Sequence, residues 1–440
     1  MTSSITDEPV RTSLAEGGAT VMYSAVEVAR ALGLPHEPTP EQAAVIEAPL
    51  APMLVVAGAG SGKTETMAAR VVWLVANGLV APEQVLGLTF TRKAASELSA
   101  RVQRRLQTLD EVGLIPPRSN GIPPGADDVS SPHSPKGEVR RLPADPFAGR
   151  PTISTYHSYA GSIVSDFGVR LGVEPTARLL TEAATWQLAY EAAVRFDGDV
   201  SDFDKTEGSL TSATLNLAGE LAEHLVDLTA VDDYLASCIT TLEAIPLVVD
   251  GKRKQLPGGM KDAIASMRAR RVAVQVARRY AQLKASRDAM DFADQIAVAA
   301  RLASEFADIA AIEQQRYRVV LLDEFQDTSH AQLQLLRSLF SGTAVTAVGD
   351  PHQSIYGWRG ASATTLSAFR DAFSTGGDPA TVLPLATSWR NSQRVLGTAN
   401  SVAAAFRSPL CSAKTPLASL LARRTCPSPR LCPPCLISSI

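Results

Sequence analysis

Lys63 and Thr64 follow the run Ala57-Gly58-Ala59-Gly60-Ser61-Gly62, a combination that could hold a triphosphate. The strict phosphate-loop spacing is G-x-x-x-x-G-K-[ST], and Ala57 stands at its first position. Gly58, Gly60 and Gly62 let the backbone curl so that successive N–H groups face an anion. Lys63 would reach the β- and γ-phosphates, and the Thr64 hydroxyl can ligate Mg2+. A helix starting here would aim its positive end at the same group. A second cluster, Asp323-Glu324-Phe325-Gln326-Asp327, closes the apolar run 318–322. A carboxylate at the C-terminal end of a parallel strand lies where ligands bind in open α/β sheets. Asp323 is expected to hold the Mg2+ that Thr64 touches, and Glu324 to orient or deprotonate an attacking water. Alone, each cluster has a plainer reading, a Gly-rich turn and a solvated acidic patch. Together they predict binding and hydrolysis of a nucleoside triphosphate.

A third group lies between Gly349 and Gly360. The Gln353 amide can sense a γ-phosphate. Tyr356 and Trp358 are two residues apart, so an extended segment projects both to one face. Two such rings offer stacking platforms for bases without sequence preference, and Arg359 beside them could serve a phosphate. A protein that holds any sequence needs stacking and phosphate contacts rather than base-edge readout.

These residues need a frame. Met53–Ala57, Val85 to Phe90, Ile153 to Tyr156, 318–322 and Ala344 to Val348 read as strands, several of them continuously apolar, as in a sheet buried on both faces. Helical patterns follow them, so the expected fold is α/β, a doubly wound parallel sheet. Residues 170–288 show helical spacing and are expected to form an inserted helical subdomain. The Pro-, Gly- and Ser-rich stretch 111–150 is expected to be a disordered surface insertion.

The chain has 440 residues, 45% hydrophobic and 20% charged, the balance of a globular protein. With 42 basic and 45 acidic residues the net charge is −3, which excludes a uniformly basic nucleic-acid binder; any polyanion site must be local. No apolar stretch is long enough for a membrane helix, and the start does not read as a secretory signal. Cys238 is the one cysteine before Cys411, which fits a reducing cytoplasm.

AGAGSGKT, LTFTRKAASELSARV (88–102), STYHSYA (154–160), DFADQ (291–295), DEFQDTS (323–329) and VGDPHQSIYGWRGA (348–361) occur in one order. Together they resemble the first motor half of the superfamily 1A DNA helicases related to UvrD, PcrA, Rep and RecB, with some wording similar to actinobacterial AdnAB-type helicase–nuclease subunits. The resemblance implies a RecA-like phosphate-loop sheet and a 3′-to-5′ DNA helicase or translocase in repair or recombination. It implies ATP and Mg2+ as cofactors and a single-stranded DNA-stimulated ATPase. Single-stranded DNA and single/double-strand junctions are the expected partners, with a helicase–nuclease subunit as a further possible one. It implies that Gln42 reads the adenine edge, that Trp389 stacks on the adenine ring, and that Arg390 acts as an arginine finger. Thr91, Lys93, Thr155 and His157 match positions near DNA, while Arg92 departs from the usual Asn. Without that company, Gln42, His157 and Arg390 have ordinary structural readings. The Lys252-Arg253-Lys254, Arg268 to Arg271 and Arg278-Arg279 clusters fit a duplex contact or a solvated helix face equally.

The boundaries expected from these blocks are a loosely ordered 1–37, a first motor domain in two parts (38–169 and 289–375) around the helical 170–288, and the start of a second motor domain at 376–405. The pattern breaks near Phe406. Residues 406–440 carry Cys411, Cys426, Cys432 and Cys435 among prolines, a spacing without the paired arms of a zinc ribbon. A truncated or out-of-frame disordered end is the expectation, with nucleotide binding, weak or no hydrolysis, and no unwinding by this chain alone. A nucleotide- and DNA-binding module without turnover is the alternative.

Overall fold

The computed structural model describes residues 23–114, 149–245, 248–249, 252–253, 256–355 and 365–403. Most of the 111–150 insertion, the segment 356–364 and the tail with its four cysteines lie outside the described residues.

The chain enters through α1 (Ala25–Ala31) and α2 (Pro40–Ile46), each opened by a capping box, Ser24 with Glu27 and Thr39 with Gln42. This corrects the reading of 1–37 as loosely ordered, for its part from Tyr23 onward. A seven-residue helix is marginal alone, but Ala25, Val28 and Ala29 are buried. Tyr23 is also tied down: its N–H donates to Asn77 Oδ1 at 2.9 Å and its carbonyl accepts from Trp73 Nε1 at 2.9 Å. Those partners lie about fifty residues away, beyond the reach of local pattern.

Three strand–helix units follow: β1 (Met53–Ala57) with α3 (Lys63–Ala76), β2 (Val85–Thr89) with α4 (Arg92–Glu111), and β3 (Thr152–Thr155) with α5 (Tyr156–Phe167). Then comes the insertion. Its helices are α6 (Glu182–Val194), α7 (Glu207–His224), α8 (Leu228–Glu243) and α9 (Gly258–Ala285). Its short strands are β4 (Arg178–Leu179), β5 (Val248–Val249), β6 (Lys252–Arg253) and β7 (Ala289–Met290). The parallel β4–β7 pair joins its entry to its exit. It has its own core, including Leu188, Ala192, Leu210, Val276 and Tyr280. At its base Lys284 is buried between Asp291 and Asp294, at 2.7 and 2.5 Å. On α9, Arg268 pairs with Glu243 at 2.6 Å and Arg271 with Asp232 at 2.8 Å, so these two cations are engaged by α8.

The chain returns through α10 (Phe292–Glu305), α11 (Ala307–Arg316), β8 (Val319–Leu322), α12 (His330–Phe340), β9 (Ala344–Gly349), α13 (Thr365–Ala372), β10 (Thr381–Leu385) and α14 (Gln393–Ala403). The sheet runs β10-β1-β9-β8-β2-β3, every pairing parallel. Alternation sorts its side chains between two cores. Leu54, Val56, Leu86, Leu88, Val320 and Leu322 join one; Met53, Val55, Val85, Val319 and Leu321 join the other. Because all strands are parallel and only β9 separates β1 from β8, the loops after β1 and β8 open on one edge.

The boundary at 376 is corrected. Thr381–Leu385 pairs with Met53–Ala57 in register, so β10 completes the first sheet rather than opening a second. Leu396 of α14 is buried in the same core. Pro384 disguised the strand; a proline is tolerated there because β10 is an edge.

Candidate functional site

The loop after β1 curls through two left-handed glycines, Gly60 (φ +77°) and Gly62 (φ +85°), conformations that side chains resist. Ser61 Oγ donates to the Gly58 carbonyl at 2.9 Å and fixes the curl. α3 then starts at Lys63 with no side-chain cap, and its 14 residues direct a positive end at the loop. From the loop after β8, Glu324 comes to meet it: Lys63 Nζ donates to Glu324 Oε2 at 2.6 Å across 261 residues of sequence. Glu324 is held at φ +48°, a strained conformation for a non-glycine and one that concentrates at functional sites.

Asp323 beside it is 4% exposed. Burial, then the Glu324 charge, push its carboxyl up to about 6, against the pull of Lys63. A buried carboxylate held above its ordinary range is a fit partner for a cation. Among the described residues no cluster of three or more His, Cys, Asp or Glu could hold a metal by itself. Mg2+ is usually bound through one or two carboxylates with substrate phosphates and water. Thr64 and Asp323 are the residues that could hold it.

Gln326 is the residue whose role the sequence did not reveal. Its Nε2 donates to Glu324 Oε2 at 2.9 Å, while its Oε1 accepts the Asp350 N–H at 3.0 Å. Gly349 makes this approach possible, since a Cβ there would lie 2.8 Å from Gln326 Oε1. Asp350 Oδ2 in turn accepts from Gln353 Nε2 at 2.5 Å. A chain of hydrogen bonds therefore runs from Glu324 through Gln326 and Asp350 to Gln353.

The loop after β10 packs on the phosphate loop. Trp389 N–H donates to the Gly60 carbonyl at 2.8 Å, and Ser388 Oγ and Asn391 Nδ2 donate to the Ala59 carbonyl at 3.1 and 3.2 Å. Trp389 and Arg390 are thus brought to the site. Gln42 is also there, with both ends of its amide engaged: Oε1 accepts the Thr39 N–H at 3.0 Å and Nε2 donates to the Ser61 carbonyl at 3.3 Å. In this arrangement it braces the loop.

Of the expected nucleic-acid residues, Thr91, Lys93, Thr155 and His157 lie at or just after the ends of β2 and β3 on the same edge of the sheet. Thr91 caps α4 and Thr155 caps α5. Lys93 is exposed and 3.8 Å from Glu97. His157 lies edge-on to Phe292 at 5.6 Å. Thr155, Arg92, Ser96, Ser99, Gln103 and Ser158 help line a polar groove of about 480 Å³ between α4 and β3. Tyr156, next in sequence to Thr155, donates its hydroxyl to the Asp323 carbonyl at 3.2 Å. Tyr356, Trp358 and Arg359 lie outside the described residues.

Residues 38–374 match the family described as the UvrD/REP helicase N-terminal domain. The chain belongs to this family. Its RecA-like parallel sheet is the family's α/β architecture, and β10 with the 388–391 segment extends past the matched range. The chain is 26% identical over 366 residues to the ATP-dependent DNA helicase PcrA of Bacillus subtilis, which covers 82% of this chain and 39% of PcrA. It is 25% identical over 365 residues to the PcrA of Staphylococcus aureus, with the same coverage. It is 28% identical over 379 residues to the ATP-dependent DNA helicase UvrD1 of Mycobacterium bovis, covering 83% and 39%. The chain thus spans about two fifths of the length of these relatives.

Proposed function

We propose that this chain supplies the nucleotide-binding half of an ATP-dependent DNA helicase or translocase, moving 3′-to-5′ on single-stranded DNA in cytoplasmic repair or recombination. The observation that carries the proposal is the Lys63–Glu324 pair, which unites the loops after β1 and β8 at one point. A bound triphosphate would compete for Lys63 and release Glu324. Glu324 would then orient or accept a proton from the attacking water, with its Oε2 steadied by Gln326. Bound Mg2+ would neutralise phosphate charge, held through Thr64 and Asp323. Gln353, two hydrogen bonds from Gln326, would report the γ-phosphate to Glu324. Trp389 would stack on the base, Gln42 would steady the loop, and Arg390 would meet the γ-phosphate.

Thr91, Lys93, Thr155 and His157, with Tyr356, Trp358 and Arg359, are assigned to the DNA strand. The groove beside Thr155 and the Tyr156 hydroxyl bond to Asp323 support a path from that strand to the ATP site. Phosphate release from ATP by the purified chain, with and without single-stranded DNA, tests the proposal. Weak release that single-stranded DNA raises and Glu324→Gln abolishes supports it. Nucleotide and DNA binding without stimulated release would instead favour a binding module, and failure to bind either would refute both.

A further inference from the structure

His36 and Trp389 face each other beside the phosphate loop. Their ring centroids are 6.1 Å apart and their planes only 24° from parallel. They come from opposite ends of the fold, His36 from the α1–α2 connection and Trp389 from the loop after β10. Neither ring is buried: His36 is exposed and Trp389 is 44% exposed. Aromatic pairs that stabilise an interior are sealed from water, and this pair is not.

What brings them together is a frame fixed to the phosphate loop. Glu41 Oε2 accepts the Ala386 N–H at 2.8 Å, which ties α2 to the end of β10. Gln42 Nε2 donates to the Ser61 carbonyl, and Trp389 N–H to the Gly60 carbonyl. Both walls are therefore anchored within the loop that would hold the phosphates, and the rings project from those anchors.

The spacing is informative. Carbons in contact lie about 3.5–4.0 Å apart, so a flat ring between two others needs a gap of roughly 7–8 Å. A wedge of 6.1 Å would open by roughly 1–2 Å to admit one planar group. The opening needs only small shifts of these two exposed side chains.

We infer that His36 is the second wall of a nucleobase slot, closing on the face of the base opposite Trp389. The inference rests on the nucleotide reading above and adds a residue to it. The ligand class is the base of a nucleoside triphosphate whose phosphates lie at Gly60 to Thr64. The slot recognises a flat π-face, so it adds affinity for the nucleoside part and none for the phosphates.

Titrating Mg-ATP and inorganic tripolyphosphate with Mg2+ into the full chain, by calorimetry, tests it. His36→Ala should weaken ATP about five- to tenfold, the lower part of the range for losing one stacking face, and leave tripolyphosphate unchanged. His36→Phe should restore ATP binding to within about twofold of the parent chain, because it restores the flat face. Equal binding of ATP by His36→Ala and the parent would overturn the slot while leaving the phosphate-loop reading intact. Equal weakening of both ligands would overturn it too, because the change would then act through the loop. Failure of tripolyphosphate to bind the parent chain, or binding that ignores Lys63→Ala, would overturn the nucleotide reading and the slot with it.

Discussion

Gly60→Ala tests the packing of the 388–391 segment on the phosphate loop. Gly60 sits at φ +77°, and forcing an L-residue there costs about 1–2 kcal/mol. The added Cβ would also lie 2.6 Å from Arg390 Cβ, 3.0 Å from Ser388 Oγ and 3.3 Å from Arg390 N. The first and last of these belong to or adjoin the backbone, so the segment itself must move. Overpacking of that kind costs about 1–3 kcal/mol, for a total of about 2–5 kcal/mol. Gly342→Ala is the control, since Gly342 has φ +82° with open space around its would-be Cβ, so it carries the backbone cost alone. Urea unfolding should separate the two variants by the contact cost, about 1–3 kcal/mol. Movement of the segment also carries Trp389 away from Gly60, so ATP affinity should fall at least about fivefold in Gly60→Ala and stay unchanged in Gly342→Ala. Equal urea midpoints, together with parental ATP affinity in Gly60→Ala, would refute the reasoning.

Three further outcomes are expected. Arg70 is wholly buried and donates to the carbonyls of Val45, Ile46, Ala48 and Pro49, which fastens the end of α2 to the phosphate-loop helix. Arg70→Met removes the donor from those carbonyls; among the described residues the Pro49 carbonyl alone keeps a backbone partner, the Ala51 N–H at 2.9 Å. The change should lower stability by roughly 3–5 kcal/mol in urea, whereas a loss below about 1 kcal/mol would contradict the clamp. Lys284→Met leaves Asp291 and Asp294 facing each other at the base of the helical insertion and should cost about 2–3 kcal/mol, discounted for their partial exposure; limited proteolysis should then cut first near 286–291, and an unchanged digest would count against it. Burial holds the Glu313 carboxyl above its ordinary value, although Tyr159 donates to it at 2.6 Å. The folded chain therefore binds that proton more tightly than the unfolded chain. This contribution is fully present below the unfolded value and is lost as pH rises through the folded one. The melting temperature of Glu313→Gln minus that of the parent should accordingly grow more positive from about pH 4 to about pH 8, and a constant or shrinking difference would be inconsistent with it.

The site was legible where chemistry is written in consecutive residues. Ala57 to Thr64 and Asp323-Glu324 each declare a ligand by local spacing, and the apolar runs before them declare buried strands. The parallel sheet followed from that alternation. Long-range partners were illegible. Nothing local to Gln326 says that its two amide ends will join Glu324 to the Asp350 N–H. Nothing in Ser388 or Asn391 says that they will reach the Ala59 carbonyl from more than 300 residues away. β10 was hidden by Pro384, which is acceptable only because that strand is an edge, and edge status is a property of the assembled sheet. α1 was missed because its stability comes from burial and from the Tyr23 bonds rather than from its seven residues.

The most direct test of the account is the affinity of Mg-ATP for the parent chain, Lys63→Ala and Glu324→Gln, measured side by side. Lys63→Ala removes a charged donor and should weaken binding by on the order of 10–100-fold. Glu324→Gln removes the carboxylate that competes for Lys63; because Glu324 is 38% exposed the pair is screened, so the gain in affinity should be modest, about two- to fivefold. Opposite signs for the two variants are the predicted result. Parental affinity in Lys63→Ala, or losses of equal size in both, would contradict the convergence of these loops on one triphosphate.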